Sequence, residues 1–230
     1  MYEIFNSREN CKIEVNYRDL KPKIIYLQTF SNDDQLYFVR KYANICEKSV
    51  LILSDNDSFN RFKSLCLSSP IWGFPDLSVY DGSIENFDLL YERKPFQKYI
   101  NIETLSDGDL HRLLLKLEGH GRKRNEICLI IDDFASMLYR LKRDLKNDRS
   151  KNMEYKILAN GLGYNFSLIC SGNPIDKKLL EWIDSFTILI ENRHEKSYDV
   201  TYESKGDNYE DERDTFKNTP LENINLSLNR

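Results

Sequence analysis

Two acidic pairs in this sequence could do chemistry. Asp132 and Asp133 close the apolar run Ile127 to Ile131 in ICLIIDDFASMLY, and Asp55 and Asp57 follow the apolar run Val50 to Leu53 in VLILSDNDS. A carboxylate at the end of a buried strand can orient a phosphate-bound magnesium ion, attack as a nucleophile, or accept hydrogen bonds from the backbone of the next turn. For nucleotide chemistry Asp132 needs a partner. A loop of the form G-x-x-x-x-G-K-[ST] should follow the first strand, because clustered backbone N–H groups and a lysine must face the phosphates. The first apolar run, Ile24 to Leu27, leads instead into Gln28-Thr29-Phe30-Ser31-Asn32-Asp33-Asp34, with no glycine, no lysine and two carboxylates. Such a loop repels a triphosphate. Asp132 then has no phosphate-bound magnesium to orient, and the plainer role for Asp132 and Asp133 is to cap the helix that follows and favour its N-terminal dipole.

The other groups with chemical potential are weaker signals. Asp55 as nucleophile, Asp57 as acid and Asp132-Asp133 as magnesium ligands would resemble a haloacid-dehalogenase-type phosphohydrolase. Ser54 intrudes between strand and nucleophile, and Asx turns explain SDNDS more simply. His111, His120 and His194 have no partner at ligand or triad spacing, which leaves them structural or surface roles. Cys11, Cys46, Cys66, Cys128 and Cys170 are odd in number and never spaced as CxxC, so neither a disulfide framework nor a zinc site is expected. Cys128 and Cys170 sit in apolar runs and read as small buried hydrophobes. No cofactor is called for.

The elements that must hold these residues alternate between strand and helix. Ile24 to Leu27 reads as a first buried strand, with Ser31, Asn32 and Asp33 capping a helix to about Glu47; Leu36, Val39, Ala43 and Cys46 share one of its faces. Val50 to Leu53 is a second strand and Leu77 to Tyr80 a shorter one. Asp107 can cap a helix from Gly108 to Glu118 striped by Leu110, Leu113, Leu114 and Leu117. After the Ile127 strand, a helix from Phe134 to Lys146 turns Met137, Leu138, Leu141 and Leu145 inward and Arg140, Lys142, Arg143 and Lys146 mostly outward. A helix from Met153 to Leu162, a strand from Phe166 to Cys170, a short helix from Lys177 to Trp182 and a strand from Phe186 to Ile190 continue the alternation. Tyr198 to Ser204 alternates as a half-exposed antiparallel edge strand would, and Lys12 to Tyr17 is a candidate short edge strand.

This order implies one α/β domain over residues 1–205, a RecA-like three-layer fold with a mostly parallel sheet, helices on both faces and an antiparallel edge extension. Gly206 to Arg230 is acidic, polar and rich in asparagine, and reads as a disordered tail. The 230 residues carry a net charge of −4 with a pI near 5.6, so nucleic-acid contact would need a local basic patch. No segment approaches a membrane span, and Met1 to Asn10 carries Glu3 and Arg8 instead of a signal-peptide core. A cytoplasmic protein, with the nucleus as a second location, is expected.

Val79-Tyr80-Asp81-Gly82 and Leu129-Ile130-Ile131-Asp132-Asp133-Phe134-Ala135-Ser136-Met137-Leu138, with IIYL, VLIL, SLIC and TILI in order around them, resemble the Elongator complex subunit six family. That family is RecA-like and lacks the nucleotide-binding loop. The resemblance spans Ile24 to Ser204. It implies a non-catalytic subunit that joins subunits four and five in a hetero-hexameric ring, an accessory part of the complex that modifies wobble uridines of tRNA, with tRNA a ligand of the ring. A degenerate RecA-like recombinase paralogue in DNA repair is the alternative of the same fold logic. For RNA, the candidate cations are Arg122, Lys123 and Arg124 in a turn and Arg140, Lys142, Arg143 and Lys146 on a helix. Arg140, Asp144 and Asp148 equally have the spacing of solvated salt bridges. Tyr37, Phe38 and Tyr42 could stack on bases or belong to the core. Trp72 and Phe74, in a loop between prolines and a glycine, are candidate subunit-interface anchors.

Overall fold

The computed structural model of the chain describes residues 4–7, 10–16, 23–45, 48–55, 57–58, 60–61, 78–80, 96–121, 128–144, 153–154, 156–158, 161–164, 166–172, 187–194, 197–204 and 212–229. The elements in chain order are β1 (Ile4–Ser7), β2 (Asn10–Asn16), β3 (Lys23–Gln28), α1 (Asn32–Ile45), β4 (Lys48–Leu53), β5 (Ser78–Tyr80), β6 (Phe96–Asn101) and α2 (Asp107–Gly121). They continue with β7 (Cys128–Ile131), α3 (Phe134–Asp144), β8 (Phe166–Ser171), β9 (Thr187–His194), β10 (Ser197–Ser204), β11 (Glu212–Pro220) and β12 (Ile224–Asn229).

Nine strands form one sheet in the order β11-β10-β9-β3-β8-β7-β4-β6-β5. The seven from β9 to β5 are mutually parallel, and β10 and β11 add antiparallel pairs at one edge. Parallel strands need helical crossovers, which cover both faces, and that is why β3, β7 and β8 read as unbroken apolar runs. Alternate residues of β3 separate the two cores. Ile24 and Tyr26 join α2, α3 and residues 153–158 on one face, while Ile25 and Leu27 join Phe38, Val39 and Tyr42 of α1 on the other. This is a three-layer α/β architecture with an antiparallel edge extension.

Several sequence expectations change. Within the segment expected to be a disordered tail, residues 212–229 are ordered: β11 pairs along β10 with a bulge between Tyr198 and Val200, a 3₁₀ turn spans Leu221–Asn223, and β12 pairs in parallel with β2. Composition misleads there because a few apolar residues suffice; Leu221 and Ile224 are buried in the core beside α1. Since β11 covers it, β10 is an inner strand. The strand near Lys12 is β2, central in a separate three-stranded sheet, β1-β2-β12. β6 is an additional strand that the sequence does not announce, because FQKYIN has no clear alternation. The N-cap of α2 is Ser106, whose hydroxyl accepts the Asp109 N–H at 3.1 Å; Asp107 lies inside the helix. Cys170 is a free buried thiol, whereas Cys128 is buried but disulfide-bonded. The expected helix from Lys177 to Trp182 lies outside the described residues.

Between residues 153–158 and β8 the backbone takes a left-handed turn, with φ of +54° at Gly161, +55° at Leu162 and +84° at Gly163. A Cβ on Gly161 would lie 2.2 Å from the Ser167 hydroxyl, and one on Gly121 would lie 2.5 Å from the Leu162 carbonyl oxygen. Glycine lets the end of α2, this turn and β8 approach closely.

Candidate functional site

Because β3, β4, β6, β7, β8 and β9 are parallel, their carboxyl ends share one edge of the sheet. In open α/β sheets ligands bind outside that edge, where successive connections leave in opposite directions. Here that point lies between β3, which connects through α1 toward β4, and its neighbour β8, which connects past β3 to β9.

Hydrogen bonds stitch this crevice shut. The Thr29 N–H donates to the Ser171 carbonyl at 3.1 Å, joining the loops after β3 and β8. The Thr29 hydroxyl meets the Tyr198 hydroxyl at 2.9 Å, and Tyr198 donates to Asp34 Oδ2 at 2.5 Å. Ser31 caps α1, its hydroxyl accepting the Asp34 N–H at 3.2 Å. The loop at the phosphate-loop position is thus a rigid turn anchored to β10, with Phe30 left 67% exposed at its tip. Sequence reasoning missed Tyr198. Its alternation with Val200 in YDVTY marks an inward residue, but nothing local says that it reaches α1.

The second carboxylate-bearing point lies between β4 and β7. Asp132 is only 4% exposed. Its Oδ1 accepts the Ser54 N–H at 2.8 Å and its Oδ2 accepts the Ser54 hydroxyl at 3.2 Å, so it fastens the end of β4 to the end of β7. Burial pushes its pKa up from 3.8 to about 7, with the neighbouring Asp133 adding to the rise and the two Ser54 bonds opposing it. Asp133 alone caps α3: its Oδ1 accepts the N–H groups of Ala135 at 3.1 Å and Ser136 at 3.2 Å. The expectation that both residues cap the helix is therefore corrected for Asp132. Asp132 directly follows β7, where its N–H donates to the Ile52 carbonyl at 3.1 Å and its carboxylate turns to Ser54 instead of to the helix end.

Asp55, Asp57, Ser58, Arg61 and Asp132 line one cleft of about 140 Å³, closed on the other side by Asn32, Gln35, Leu36 and Val39 of α1. The structure thus brings three of the hydrolase candidates, Asp55, Asp57 and Asp132, to one cleft, which Asp133 does not line. Their bonding is that of a turn: Asp55 Oδ1 accepts the Ser58 N–H at 2.7 Å, an Asx-type closure. Among the described residues, no three His, Cys, Asp or Glu side chains come together as metal ligands would.

The candidate RNA cations separate. Arg140 is not outward-facing. Its Nε donates to Asp107 Oδ1 at 3.0 Å, and its two Nη groups donate to the carbonyls of Ile102 and Leu105. Its side chain is 17% exposed, because all three sides of the guanidinium clamp the β6–α2 connection. The side chain of Asp144 lies outside the described residues. Lys142 is exposed, 3.4 Å from the buried Glu154 carboxylate. Arg122, Lys123, Arg124 and Lys146, the side chain of Arg143, and the interface candidates Trp72 and Phe74 lie outside the described residues. Phe38 and Tyr42 are core residues; Tyr37 is exposed, with the Lys41 ammonium 5.8 Å from its ring.

No helix among the described residues is long and apolar enough to cross a membrane. No protein-family model and no curated protein matches the chain.

Proposed function

We propose that this chain is a non-catalytic RecA-like subunit of the Elongator complex, one member of the ring of subunits four, five and six that supports wobble-uridine modification of tRNA. One observation carries the reading. The loop after β3, where a nucleotide's phosphates would sit, is filled by an acidic turn bonded to Ser171 and Tyr198, and Asp132 is occupied by Ser54. A RecA-like scaffold whose nucleotide crevice is closed has its use in assembly. The resemblance of the strand motifs to the subunit six family supplies the particular complex.

Affinity purification of the tagged chain with identification of co-purifying proteins tests this. Elongator subunits are expected; recombinase-type partners would replace the reading with a DNA-repair paralogue. The cleft shared by Asp55, Asp57 and Asp132 supports a second reading as a magnesium-dependent phosphohydrolase, and phosphatase activity lost on Asp55→Asn would establish it. Cytoplasmic location, with the nucleus as a second site, belongs to the same proposal. Fractionation of cells carrying the tagged chain tests that part.

A further inference from the structure

We draw no further inference here: the strongest candidate, the cleft of about 140 Å³ between α1 and the end of β4 that Asp55, Asp57 and Asp132 line, belongs to the site already described, and its buried carboxylate is already met by the Ser54 N–H and hydroxyl.

Discussion

Replacing Asp132 by asparagine isolates the consequence of burying one carboxyl between β4 and β7. In the unfolded chain this group titrates at the ordinary 3.8; in the fold, burial moves it to about 7. Between those values the folded chain binds one proton more than the unfolded chain, so unfolding free energy falls as pH rises from about 4 to about 7 and is level beyond. The stabilisation is complete below the unfolded value and lost through the folded one. A displacement of that size corresponds to roughly 4 kcal/mol at most. Asparagine has the shape of the neutral acid and keeps an acceptor for the Ser54 N–H, so it should match wild type near pH 4 and exceed it by a few kcal/mol at pH 8. Urea unfolding of both chains across this range measures the difference, and titrations common to both cancel. Parallel curves, or an asparagine chain less stable at pH 8, would refute the reasoning. They would mean that Asp132 is held ionised, as a cation site requires.

Three further outcomes follow from the packing. Arg140→Ala removes a largely buried ion pair to Asp107 and two carbonyl contacts, which costs about 3 kcal/mol and lowers the melting temperature by roughly 6–12 °C; a calorimetric shift under 2 °C would contradict the clamp. Gly161→Ala places a methyl group 2.2 Å from the Ser167 hydroxyl at a φ of +54°, and should cost more than about 2 kcal/mol in chemical denaturation. Lys41→Met removes an ammonium that donates to the carbonyls of Glu222 and Ile224, so amide exchange in β12 should quicken roughly tenfold while that of β7 and β8 holds.

The sequence by itself determined the parallel core. Runs such as IIYL, VLIL and SLIC are apolar without alternation because their strands are covered on both faces, and that signal is local. It also determined that the turn after β3 carries two carboxylates and neither glycine nor lysine, a difference from a phosphate-binding loop that needs no coordinates to be seen. Tertiary structure decided how the acidic residues are used. Asp133 caps a helix two residues on, a relation visible in DDFAS, but Asp132 answers to Ser54, 78 positions away, and Arg140 turns inward to Asp107 although its helical spacing reads as an exposed face. Burial by residues distant in the chain gave these side chains their partners. The same holds for residues 212–229, whose polar composition spoke for disorder. Their order comes from an edge that β10 offers, a groove beside α1 that Leu221 and Ile224 fill, and backbone pairing with β2, none of which is written in the segment itself.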